Sequence, residues 1–116
     1  MTHYTSYDLI EWGKPFEKRQ NALPEQTGPE VLVRVTAAGL CHSDLHVQKG
    51  FMDLGQEGKL TFAERGAVLP MTFGHEVAGI VQAVGPEVNS VKPGQQVLVF
   101  PWIGCGECDA CNEDRE

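Results

Sequence analysis

Three of the chain's four cysteines fall within seven residues, Cys105-Gly106-Glu107-Cys108-Asp109-Ala110-Cys111. This crowding constrains the C-terminal segment more than any other feature. Four cysteines would by count allow two disulfides, but thiols this close in sequence argue against such a framework. A C-x2-C-x2-C spacing makes a tight loop able to wrap one tetrahedral metal. From residue 104 onward the chain is small, charged and nearly free of apolar side chains, so little except a metal would order it. The rival reading is a redox C-x-x-C with Trp102 upstream. That scheme leaves the third cysteine without a task, and acids among the thiols are expected to raise their pKa.

A second set of metal-ligand types lies upstream. Glu30 to Ala38 is the clearest strand, with Val31, Val33 and Val35 pointing one way and Leu32, Arg34 and Thr36 the other. Gly39 closes it, so Cys41 emerges at its end. Ser43 or Asp44 is the expected cap of a short helical turn that runs to Lys49 and stops at Gly50. Residues 71–84 return to strand character through Val77, Ile80, Val81 and Val84. Gly74 and Gly79 there mark a bulge or a close approach of backbones. His75 and Glu76 sit in this stretch. Cys41 and His75 offer a soft thiolate and an imidazole, both preferred by zinc, and Asp44 and Glu76 each lie beside one of them. Taken singly, Cys41 and His75 would be core residues, and His42 and His46 surface histidines.

The rest of the chain supports a mainly β domain. Residues 4–12 read as a strand turning at Gly13-Lys14-Pro15, and 16–23 as a second strand or a surface crossing. Residues 24–29 form a loop. Residues 51–69 read as a long loop with one helical turn over 60–65, placed near a pocket or a subunit contact. Gln96 to Phe100 is a buried strand. Short strands separated by turns suggest a β-barrel or sandwich. A net charge of −7 with no basic cluster argues against nucleic acid and against an anionic membrane. No long apolar run marks the N-terminus as a signal peptide or a spanning helix, so a cytoplasmic protein is expected.

The run Gly74-His75-Glu76-Val77-Ala78-Gly79-Ile80-Val81-Gln82-Ala83-Val84-Gly85-Pro86-Glu87-Val88 matches G-H-E, two residues, G, five residues, G or A, two residues, a small apolar residue. With Cys41 to His46 before it and the cysteine cluster after it, the chain resembles the zinc-containing medium-chain alcohol dehydrogenases. The resemblance implies a GroES-like, partly open β-barrel with a zinc lobe, residues 1–116 being that catalytic domain, incomplete at its C-terminus. The G-x-G-x-x-G fingerprint of a Rossmann domain is absent from the sequence, so that domain is expected elsewhere.

The resemblance also implies roles for residues. Cys41 and His75 would hold a catalytic zinc, with Glu76 an interim ligand and a third ligand from a later segment. Asp44 would orient His75. Ser43 and His46 would relay the proton, and His42 would meet the cofactor pyrophosphate. Cys105, Cys108 and Cys111 would hold a structural zinc with a fourth cysteine beyond Glu116. Trp102 would line the substrate pocket; the plainer alternative is a core or barrel-rim tryptophan. The activity implied is interconversion of a small alcohol and its aldehyde or ketone with NAD or NADP, in a homodimer or homotetramer. The reading from another class is a non-catalytic zinc-binding or chaperonin-like β-barrel module.

Overall fold

The computed structural model describes residues 2–115. In chain order its elements are β1 (His3–Leu9), β2 (Glu17–Ala22), β3 (Val31–Gly39), α1 (His42–Lys49), β4 (Phe51–Asp53), β5 (Lys59–Thr61), β6 (Met71–Thr72), β7 (Glu76–Val84), β8 (Gln96–Val99) and α2 (Asp109–Asn112), with a 3-10 turn at Gly55–Glu57. Two three-stranded antiparallel sheets, β2-β1-β6 and β3-β7-β8, carry the domain, and β4 and β5 form a separate hairpin. The fold is therefore the mainly β, partly open barrel that the resemblance implies.

The two sheets do not close on each other. Between them lies a cavity of about 720 Å³, lined by Tyr4, Leu23, Leu32, Val33 and Val35 among others. Leu9 on β1 and Val81 on β7 are the fully buried large side chains of the described residues. Asp8, also buried, accepts a hydrogen bond from Thr72 Oγ1 at 2.7 Å and so ties the short β6 to β1.

Four expectations need correction. Residues 51–69 are not one long loop. They open with the β4–β5 hairpin and continue in hydrogen-bonded turns, Arg65 N–H to the Phe62 carbonyl and Gly66 N–H to that of Ala63, so strand pairing reaches Thr61 where a helical turn was expected. Residues 71–84 are two strands, because Gly74 has φ +108 and breaks the ladder just before His75. The first strand ends at Leu9, short of Trp12. The strand at 96–99 is an edge, so its outward residues are not buried: Leu98 is 84% exposed.

The pairing of β3 with β7 positions the site. It runs from Val31 opposite Val84 to Gly39 opposite Glu76, with irregularities after Leu32 and after Val35. Gly79 is needed there for close approach, since a Cβ at that position would lie 2.6 Å from the Arg34 carbonyl oxygen. The ladder ends at Gly39 and Glu76, so Cys41 and His75 leave the sheet together at one end.

Candidate metal centre

Cys41 has extended backbone, φ −107 and ψ 149, and is the N-cap of α1. The sequence pointed instead to Ser43 or Asp44 as the cap, because cysteine is not among the preferred capping residues. Asp44 is the third residue of the helix, and its Oδ2 accepts the Cys41 N–H at 3.1 Å, one half of a capping box. Its other oxygen, Oδ1, is 3.3 Å from His75 Nδ1. One carboxylate thus makes the capping contact and the contact with the imidazole at once. Asp44 is buried, with 9% exposure.

The far end of α1 is pinned as well. Gly50, with φ +90, donates its N–H to the carbonyls of His46 and Val47, which stops the helix where the sequence indicated. Gly13 N–H donates to the Gln48 carbonyl at 2.7 Å, and the Trp12 ring packs so closely that a Cβ on Gly50 would lie 3.2 Å from it. Phe62 N–H donates to the Gly50 carbonyl at 3.0 Å. The loop after β1 and the hairpin segment therefore hold the helix that carries Ser43, Asp44 and His46.

The ligand atoms of Cys41, His75 and Glu76 all lie within 4.8 Å of one another. Ser43 Oγ sits between two of these groups, 3.2 Å from Cys41 Sγ and 3.3 Å from His75 Nε2. The Ser43 hydroxyl is the main cause that lowers the Cys41 thiol pKa, with a smaller contribution from His75. The His75 pKa is raised, first by its hydrogen bond with the Cys41 thiol and then by the Asp44 charge. Glu76 reaches the site over Gly39: a Cβ on Gly39 would lie 2.9 Å from Glu76 Cβ and closer still to its carboxylate. A soft sulfur, an imidazole nitrogen backed by a carboxylate, and a carboxylate oxygen form a donor set suited to zinc.

His42 and His46 stand apart from that donor set. Their rings meet edge to face, with centroids 4.8 Å apart. Trp102 is 71% exposed, which sets aside the alternative of a core tryptophan.

The second cluster is the lobe. Cys105 Sγ and Cys111 Sγ are 3.8 Å apart, Cys108 Sγ and Cys111 Sγ 3.5 Å, and all three thiols converge. Cys105 Sγ also accepts the N–H groups of Glu107 and Cys108 at 3.5 and 3.3 Å. These backbone donors, Glu107 first, lower the Cys105 pKa to about 7. This reverses, at Cys105, the expectation that neighbouring acids would raise it: a turn of N–H groups aimed at sulfur outweighs exposed carboxylates that water screens.

Residues 27–116 match the alcohol dehydrogenase GroES-like domain. The chain belongs to that family. An NAD-dependent alcohol dehydrogenase of Saccharolobus solfataricus is 42% identical over 93% of this chain, which spans 30% of that relative's length. Among solved structures, an alcohol dehydrogenase zinc-binding domain protein from Burkholderia ambifaria superposes with a TM-score of 0.76 at 36% identity, covering 96% of this chain and 26% of the other. Benzyl alcohol dehydrogenase from Acinetobacter calcoaceticus gives a TM-score of 0.73 at 30% identity, covering 97% and 27%. This chain thus spans under a third of the length of each of these proteins.

Several features of the site had no signal in the sequence reading. The contact of Ser43 with both Cys41 and His75 depends on where the β3–β7 ladder ends. The clearance that Gly39 gives Glu76 depends on their being paired across strands. The C-x2-C spacing does carry a signal for the N–H groups around Cys105, since so short a loop turns its backbone toward the first sulfur.

Proposed function

We propose that this domain is the catalytic part of a zinc-dependent alcohol dehydrogenase that interconverts alcohols and aldehydes or ketones by hydride transfer to or from NAD(P). The observation that carries the reading is the convergence of Cys41, His75 and Glu76 within 4.8 Å, with the Ser43 hydroxyl touching both Cys41 and His75. Cys41 and His75 would hold the metal, and Glu76 would be an interim ligand. A zinc ion there supplies Lewis-acid polarisation of the alcohol or carbonyl oxygen.

The chain's own residues manage the proton and the orientation. Asp44 Oδ1, 3.3 Å from His75 Nδ1, favours a proton on that nitrogen, which leaves Nε2 for the site. Ser43 accepts the substrate hydroxyl proton beside the ligands, and His46 passes it to solvent, since an imidazole can take up a proton at one ring nitrogen and release one from the other. His42, at the first turn of α1, meets the cofactor pyrophosphate, and Trp102 contributes to the substrate pocket. Cys105, Cys108 and Cys111 hold a structural zinc. The assembled protein is a homodimer or homotetramer located in the cytoplasm. Among the described residues no helix is long and apolar enough to cross a membrane.

Elemental analysis and an alcohol-dependent NAD(P) reduction assay on the intact protein test the reading. The expected result is two zincs per subunit and reduction of the nucleotide by a primary or secondary alcohol. Freshly purified protein without zinc would overturn it. Bound zinc with neither nucleotide binding nor turnover would favour a non-catalytic metal-binding barrel.

A further inference from the structure

His42 and His46 are four residues apart on α1, so both imidazoles leave one face of the helix. Their ring centroids are 4.8 Å apart and their planes are inclined by 61°. Two histidines at this helical spacing form a recognised pair of zinc ligands. With metal–nitrogen bonds of about 2.0–2.1 Å and ring centres about 1.1 Å behind the nitrogens, two imidazoles at the ideal angle on one tetrahedral ion bring their centroids to about 5.1–5.2 Å. The observed 4.8 Å is shorter than that by less than half an ångström, a difference that small side-chain rotations span. The backbone of α1 is already fixed at both ends, so a bound cation has only ring rotations to select. His42 is exposed and His46 half-buried, which leaves room for water to complete the shell.

We propose that His42 and His46 form a two-imidazole site for zinc or another borderline divalent transition cation, separate from the centre built by Cys41, His75 and Glu76. Nitrogen ligands of this type suit Zn, Ni and Cu. Two protein ligands make a weaker site than the thiolate clusters, so it fills after them. If the relay and pyrophosphate roles proposed above hold, a cation here takes both imidazoles out of use, and surplus metal inhibits the enzyme. Metal binding itself is measured without turnover, so failure of that functional reading leaves the binding test intact.

The experiment is a titration of the intact, uniformly 15N-labelled protein with Zn²⁺ alone, reading the imidazole nitrogen shifts of each histidine. After the thiolate sites have filled, the His42 and His46 nitrogens are expected to shift together with one midpoint. In His42→Gln the His46 midpoint should rise at least about tenfold, because the second ligand no longer acts at high effective concentration. His46→Gln should do the same to His42. Separate midpoints in the parent protein, or a His46 midpoint unchanged by His42→Gln, would show two independent surface imidazoles and overturn the proposal. Both positions are solvent-accessible and Gln is helix-compatible, so each variant is expected to fold, and its amide spectrum verifies this in the same sample.

Discussion

Asp44 joins the two halves of the candidate metal centre: one oxygen accepts the Cys41 N–H at 3.1 Å while the other lies 3.3 Å from His75 Nδ1. Asp44→Ala removes both contacts. Loss of the carboxylate behind a metal-binding imidazole lowers metal affinity by about 10–100-fold, and loss of the capping contact destabilises α1 by about 1 kcal/mol. Asp44→Asn should fall between parent and Ala, since an amide oxygen can still accept from one partner. Zinc-chelator competition and thermal denaturation on the three proteins check this order.

Ser43→Ala separates chemistry from metal binding. In the intact enzyme turnover should drop by about 10²–10⁴-fold, the usual worth of a positioned proton acceptor, with zinc content unchanged. The same substitution removes the main cause of the lowered Cys41 pKa, so in metal-free protein alkylation of Cys41 should move to higher pH. Normal turnover across pH would refute the relay.

The Cys105 thiol has a clear pH signature. Its pKa falls from 9.0 to about 7 because the Glu107 and Cys108 N–H groups favour the thiolate. Metal-free protein should therefore alkylate at Cys105 with a midpoint near 7, returning toward 9.0 in denaturant. By linkage, this contribution to the order of the loop is fully present above 9.0 and is lost as pH falls through about 7. Mass spectrometry of peptides labelled across pH measures it.

His75 gives the opposite sign. Its raised pKa means that a proton competes with metal for the imidazole over a wider acid range. The stabilisation from its Cys41 and Asp44 contacts is complete below the ordinary value of 6.5 and is lost as pH rises through the raised value. Zinc affinity at this centre should accordingly fall as pH drops below the raised value, and His75→Gln should remove that dependence. Competition with a chromogenic chelator at several pH values measures it.

Gly39→Ala tests the clearance beneath Glu76. The added methyl meets Glu76 Cβ at 2.9 Å, and the strands must part or the Glu76 side chain must swing away. We expect a loss of about 1–3 kcal/mol from overpacking, with weakened metal retention as Glu76 leaves the site. Denaturant unfolding and metal-exchange rates measure the two effects. In a Glu76→Ala background, the added cost of Gly39→Ala should shrink.

Much of this was legible in the sequence. The alternation of Val31 to Thr36 marked β3, and Gly50 marked the end of α1, because side-chain period and positive φ are local properties. The hairpin at 51–61 was not legible: its strands are three residues long, and a Gly-rich polar link hides so short an alternation. Gly74 marks an irregularity in the sequence, but not that one strand ends there and another begins, since the β-branched residues on its far side dominate the pattern. Cys41 as helix cap was missed because propensity ranks residue types, whereas here tertiary position, with Asp44 held by His75, fixes the cap.

The ladder that ends at Gly39 and Glu76 has a consequence for the order of events in folding. Ser43 and His75 are thirty-two residues apart in the chain, and only the β3–β7 register brings them together. A slip by one residue would turn the side chains of β7 to the opposite face and send the imidazole and the thiol to different sides of the sheet. On the proposed zinc reading, the register therefore works as a proofreader: a nascent chain with the wrong alignment would offer a lone thiol or a lone imidazole, and only the correctly zipped sheet would close on an ion and be locked by it.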